Sequence, residues 1–229
     1  MKYIRILYFV VLIAIIGTLV YLSKPYFVEY KNAKTVQNEV NKAKNNKTRT
    51  VDFNKLQNIN KDIIAWLHIK GTKIDYPVVK SKDNNFYLYH NVKKAANSYG
   101  SLFFDAREYN NPLKEKNLII YGHNMGSWTN SMFSNLDDFL SSNYLKKHKR
   151  VLLYTNKEVL EYTVAIAKEV YSNDKDSFKI KFNKNEFNEW KRNVIPESDS
   201  LELETKQVLT LATCNNSGSK RIVLHCVKN

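Results

Sequence analysis

The sequence predicts a mainly β domain, closed or sandwiched and decorated with peripheral helices, held behind an N-terminal transmembrane helix. Three observations carry this. A charge-free apolar run occupies residues 6–23, and the rest of the chain, about 200 residues, is long enough for one domain with a sizeable core. From Val51 onward short segments rich in β-branched and aromatic residues recur between polar turns. Those segments show no regular alternation with helical stretches, which argues against a parallel α/β sheet.

The N-terminal run, MKYIRILYFVVLIAIIGTLVYLSKPYF, has Lys2 and Arg5 ahead of it and ends on Val20-Tyr21-Leu22-Ser23 without a small-residue cleavage pattern. Its length suits a hydrocarbon core about 30 Å thick. An uncleaved single-pass anchor is expected, with residues 1–23 as cytoplasmic tip and span and residues 24–229 outside. Residues 24–50 are polar, with Phe27, Tyr30, Ala33, Val36 and Val40 at steps of three or four, the pattern of a helical stalk with one thin apolar stripe. Residues 51–229 then form the catalytic or binding domain. Its strand candidates are 63–69, 73–79, 99–104, 117–122, 150–155, 160–171, 207–213 and 220–227. Two stretches read as helical: 129–148, and 183–195 with Phe187, Trp190 and Val194 on one face.

The chain carries 36 Lys plus Arg against 22 Asp plus Glu, a formal charge of +14. Nucleic acid is the usual counterpart of such a balance, but an anchored exterior domain does not meet it. Anionic headgroups and acidic wall polymers are the surfaces it would face, and a merely solvated Lys- and Asn-rich surface explains the charge equally well. Two cysteines do not make a disulfide scaffold, and no second C-x-x-C or H-x-x-x-H element accompanies them to hold a metal.

Cys214 ends the apolar segment VLTLAT and precedes the turn-forming NNSGS, the kind of strand end where a rigid scaffold presents a reactive group. A nucleophilic thiol needs a cation or an imidazole nearby. Arg221 opens the next strand after six residues, so a hairpin brings it beside Cys214, where its fixed donors suit an oxyanion or a substrate carbonyl. Among five histidines, His123 in IIYGHNM sits at a strand–loop junction and is the candidate acid or base. His68, His90 and His148 read as ordinary strand, turn and charge-run residues. In RIVLHC, strand alternation puts Arg221, Val223 and His225 on one face and Ile222, Leu224 and Cys226 on the other, so Cys226 reads as a small buried hydrophobe.

TLATC (210–214), KRIVLH (220–225) and IIYGHNM (119–125) together resemble the sortase family, cysteine transpeptidases of Gram-positive envelopes. IDYPVV (74–79), DNNFYLYH (83–90), YGSLFFDAR (99–107) and MFSNLDDF (132–139), in that order, are most similar to class B. The resemblance runs from about residue 50 to the end. It implies an eight-stranded closed sortase barrel and a membrane-anchored enzyme that cleaves a C-terminal sorting motif after Thr. It implies Cys214 as nucleophile, His123 as general acid and base, and Arg221 for oxyanion stabilisation or substrate alignment. It also implies a groove touching Thr213, Ala212, Phe178, Asn84 and Leu88. Ala212 stands where the family commonly has Ser, and Phe178 near an aromatic usually Tyr. The implied partners are surface proteins bearing a sorting signal and a peptidoglycan amine, with no metal or other cofactor. A pilin-polymerising sortase, a non-catalytic envelope-binding domain of the same fold and a papain-like hydrolase are the rivals. The first lacks its usual lid and second apolar run, the second sits badly with an intact trio, and the third wants its cysteine at a helix start. Two free thiols are expected, one reactive and one inert.

Overall fold

In strands buried on both faces the alternation of apolar and polar residues disappears, and apolar runs become continuous. That is why IIAWLHI and RVLLYT read as unbroken apolar segments. The computed structural model describes residues 2–45, 48, 50–126, 129–183, 186–196, 206–214 and 219–229. Eight strands form a closed barrel: β1 (Ile63–Ile69), β2 (Asp75–Val79), β3 (Leu102–Phe104), β4 (Asn117–Tyr121), β5 (Arg150–Thr155), β6 (Val159–Tyr171), β7 (Val208–Cys214) and β8 (Lys220–Lys228). Their order around the barrel is β8-β6-β5-β1-β2-β3-β4-β7, closing back onto β8. Two neighbours, β2–β3 and β4–β7, run parallel, and the others are antiparallel. Closure leaves no sheet edge to be capped.

Each strand sends one residue row inward, including Leu67, Val78, Phe104, Ile120, Leu153, Tyr162, Leu211 and Leu224, all buried in one cluster. The outer rows are covered on two flanks. On one, Val40 from the N-terminal helix, Ala43 from the turn after it, and Phe53 and Leu56 pack on Trp66, Val79, Phe103 and Tyr154. On the other, helix α4 (Glu186–Val194) lays Phe187, Trp190 and Val194 on Val208 and Val227. Helix α2 (Phe53–Ile59) lies within the stretch read as strands and turns. Its signal is Asp52, whose carboxylate accepts from the Lys55 N–H at 3.1 Å, followed by apolar residues at three-residue steps. The 129–148 stretch resolves into a 3₁₀ segment, Ser134–Leu140, and helix α3 (Ser142–Lys147).

Helix α1 is continuous from Lys2 to Asn41 and passes through Pro25 without a break. At ~1.5 Å per residue it is about 60 Å long. Its large side chains from Tyr3 to Leu22 are exposed, and it is long and apolar enough to cross a membrane. Its last third is docked on the barrel: Gln37 Nε2 donates to the Asp75 carbonyl at 3.0 Å and Lys93 pairs with Glu39 at 3.0 Å. Just beyond it, Lys44 Nζ reaches the Asp75 carboxylate at 2.6 Å, which Trp66 Nε1 also meets at 2.6 Å. The helix itself ends at Asn41. A turn and a two-residue ribbon, Lys44–Asn45 against Thr50–Val51, follow it where the sequence pattern suggested helix to residue 50.

Candidate active site

Parallel pairing of β4 with β7 aligns Tyr121 with Ala212, and the Gly122 N–H extends the ladder to the Ala212 carbonyl at 3.2 Å. His123 and Cys214 each lie two residues past that rung, so adjacent strand ends deliver both backbones to the same rim. Glycine is required between Tyr121 and His123. A Cβ at Gly122 would sit 2.3 Å from Leu102 Cδ2 and 2.9 Å from Phe133 Cδ2, both in the packed core. On the other side of β7, the β8 register sets Arg221 directly opposite Cys214. The side chain of Cys214 and residues 215–218 of the following turn lie outside the described residues.

His123 is held from two directions. Its carbonyl accepts the Phe133 N–H at 2.9 Å, and the loop beyond is tied down by Met125 N–H to Ser134 Oγ (2.9 Å) and Asn124 Nδ2 to Asp137 (3.0 Å). Its Nε2 lies 2.7 Å from the Leu88 carbonyl oxygen. A carbonyl only accepts, so Nε2 carries the proton and Nδ1 is the basic nitrogen of the neutral ring. Burial pushes the imidazole below its usual value, with the Leu88 carbonyl opposing in part. Tyr89, whose ring centroid is 6.2 Å from that of His123, is largely exposed beside it.

His123, Arg221 and Ala212 line one groove of about 1090 Å³, together with Asn84, Leu88 and Phe178. Four of the five groove residues inferred from sequence are thus brought together, and Leu88 also orients His123 through its backbone. Thr213 is elsewhere. It shares the parity of Leu209 and Leu211, which face the barrel interior, and is 1% exposed. Sequence reading passed over Tyr121 and Arg107, which also line the groove, and the buried Asp105 beneath them.

The remaining titratable groups sort as strand parity expects. Cys226 is a free thiol wholly buried in the barrel interior, and burial pushes its pKa far up. It pairs with Leu209, five residues along β8 from Arg221 (226 − 221). At ~3.4 Å per residue its Cα is about 17 Å from that of Cys214, far beyond the ~7 Å that a disulfide tolerates. His225 faces outward under α4, 3.0 Å from Thr210 Oγ1 and edge-on to Trp190. Burial lowers it to about 3, so it stays neutral. His68 lies 3.4 Å from Asp75, and His90 stacks on Phe86. Among the described residues, no cluster of His, Cys, Asp or Glu could hold a metal.

A Sortase domain family model matches residues 67–229. The chain belongs to the sortase family. Sortase B of Staphylococcus aureus is 33% identical over 183 residues, which cover 75% of this chain and 72% of that protein. Sortase B of Listeria monocytogenes is 48% identical over 93 residues, but that match spans only 41% of this chain and 37% of that relative's length. A Staphylococcus aureus sortase B–substrate complex superposes with a TM-score of 0.72 at 25% identity, covering 91% of this chain and 98% of that one. A sortase B complexed with triglycine gives 0.73 at 25% identity, covering 88% and 97%. The protein is a sortase of the class B type, with the eight-stranded closed barrel of its relatives.

Proposed function

We propose that this class B sortase uses Cys214 to cleave a C-terminal sorting motif after Thr and transfers the resulting acyl group to a peptidoglycan amine. The Cys214 thiol passes its proton to His123 Nδ1, and the resulting thiolate attacks the Thr carbonyl carbon. The electron pair displaced onto oxygen meets the Arg221 guanidinium. On collapse, the C–N bond breaks and the leaving nitrogen takes a proton from His123 Nδ1, giving a thioacyl-enzyme. The acceptor amine then attacks the thioester, loses a proton to the same nitrogen, and the thiolate leaves. Proton donation and uptake by one imidazole leave the enzyme unchanged over the cycle.

The observation that carries this reading is the pair of registers around β7, with Arg221 opposite Cys214 on one side and His123 level with it on the other. Hydrogen bonding of Nε2 to Leu88 supports Nδ1 as the exchanging atom. A relative solved with triglycine supports an amine as acceptor. Helix α1, exposed and apolar from Ile6 to Leu22, is the membrane anchor. Lys2 and Arg5 keep its N-terminus cytoplasmic and the barrel outside.

The test is the full chain in detergent micelles with fluorogenic peptides carrying N-P-x-T or x-P-x-T-G cores, with and without triglycine, read by cleavage and intact mass. Wild type should give a thioester adduct that triglycine discharges into a transpeptidation product. Cys214→Ala should lose activity entirely, while Cys226→Ala keeps it. Equal cleavage by wild type and Cys214→Ala would refute the assignment.

A further inference from the structure

Arg107 lines the groove from the connection between β3 and β4, on a short helical turn, Ala106–Glu108, with no role in the steps above. Its partner Asp105 follows β3 directly, and its N–H donates to the Ile119 carbonyl at 3.0 Å, two residues back along β4 from Tyr121. The Asp105 carboxylate is 1% exposed and takes five donors. Oδ1 accepts from Arg107 N (2.9 Å), Arg107 Nε (3.0 Å) and Asn84 Nδ2 (3.4 Å). Oδ2 accepts from Arg107 Nη2 (2.7 Å) and the Tyr121 hydroxyl (3.0 Å). This is a two-point guanidinium–carboxylate fork, which fixes orientation as well as charge.

Nη2 of Arg107 also donates to the Phe178 carbonyl at 3.0 Å. Phe178 belongs to the opposite wall, residues 172–183, which contains no helix or strand. A wall without its own hydrogen-bond ladder takes its position from outside donors. Among the described residues, three side chains donate to nearby backbone carbonyls: Trp190 Nε1 at Asp176 (2.6 Å), Arg107 at Phe178, and Asn117 Nδ2 at Lys179 (2.8 Å). Of the three donors, only Arg107 itself lines the groove. The Phe178 ring meets Tyr121, centroids 6.0 Å apart, and Tyr121 is bonded to the same Asp105.

We propose that Arg107 is a positioning residue for peptide selection. Forked on buried Asp105, it staples the 172–183 wall through the Phe178 carbonyl and sets the shape of the groove at the Tyr121–Phe178 contact. The proposal rests on this groove being the sorting-peptide site. It is tested on the full chain in detergent micelles as wild type, Arg107→Ala, Arg107→Gln and Arg107→Lys. Two readouts are taken, amide hydrogen exchange of residues 172–183 without peptide, and kcat and KM across the peptide panel. Loss of a hydrogen bond from a charged donor predicts exchange faster by about tenfold or more in the wall. KM for the preferred peptide should rise by a similar factor, kcat should fall less, and discrimination between peptides should narrow. Lysine keeps the charge but cannot make the fork, so Arg107→Lys should behave like Arg107→Ala. Exchange and KM within twofold of wild type, or full rescue by lysine, overturn the proposal. Arg107 is half exposed, so Arg107→Gln is expected to fold even if Arg107→Ala does not. A wild-type chain that cleaves none of the peptides counts against the sorting reading alone, and the exchange result still upholds or overturns the staple.

Discussion

His123 illustrates how one buried contact fixes both a tautomer and a charge state. Desolvation disfavours the imidazolium more than the Leu88 carbonyl favours it, so the ring should titrate below 6.5 and be mostly neutral at pH 7. Its pKa is lowered in the folded state, so its contribution to stability is full above 6.5 and declines as pH falls below that value. A nitrogen-detected NMR titration of the folded chain should place the midpoint below 6.5 with the proton on Nε2. A midpoint above 6.5 would mean that the Leu88 contact, or an unseen anion, dominates. The two cysteines make the complementary case. Iodoacetamide should label the folded chain once, at Cys214, and reach Cys226 only in denaturant. Cys226→Ser places a hydroxyl in the apolar interior and should cost about 1–3 kcal/mol in a urea titration, whereas a loss near zero would show the interior to be wetter than its packing implies. The Arg221–Cys214 pairing was legible because a short hairpin linker dictates register. The side of Thr213 was not, because β7 is buried on both faces and its sequence does not alternate. Nor was the staple, since Arg107 and Phe178 lie 71 positions apart.

At the level of elements, the barrel strands were readable from composition because β-branched and aromatic runs between polar turns have few other uses. Boundaries moved by one to three residues where turn residues had been counted as strand, as at 99–101 ahead of β3. Helix α2 was missed because seven residues give too few turns for a period to stand out. Helix α4 was visible in Phe187, Trp190 and Val194, but its use was not. It covers Val208 and Val227, buries His225, and through Trp190 Nε1 holds the Asp176 carbonyl of the groove wall. Trp190→Ala removes a buried ring and that hydrogen bond together, and should lower unfolding free energy by about 3–5 kcal/mol. KM should rise in the same variant because the wall loses a tether. A loss under ~1 kcal/mol would mean that α4 is an appendage and that the wall is held from elsewhere.

Across the whole molecule, pH acts through buried and half-buried carboxylates of opposite character. Asp62, Asp75 and Asp105 would each be raised by burial, yet their partners more than compensate and hold all three below the usual range. Asp62 has Lys94 and the Tyr87 hydroxyl, Asp75 has His68, Lys44 and Trp66, and Asp105 has Arg107. Depressed carboxylates contribute stability above the unfolded value of 3.8, and it is lost as pH falls below that point. Glu108 behaves oppositely. It is 2% exposed, its Oε1 has no partner among the described residues, and Oε2 meets only the Ile119 N–H at 3.4 Å. Burial raises it from 4.5 to about 9, so the folded chain keeps it protonated, and stability declines as pH rises from 4.5 towards 9. At pH 7 that loss is on the order of 3 kcal/mol. Glu108→Gln keeps the acceptor for Ile119 and abolishes the titration. Thermal unfolding should therefore show the stability of the variant relative to wild type rising by about 4 kcal/mol between pH 4 and pH 8. The acid limb set by the three aspartates should remain unchanged. A gap of the same size at both pH values would trace the effect to packing, and Glu108 would then be charged in the fold.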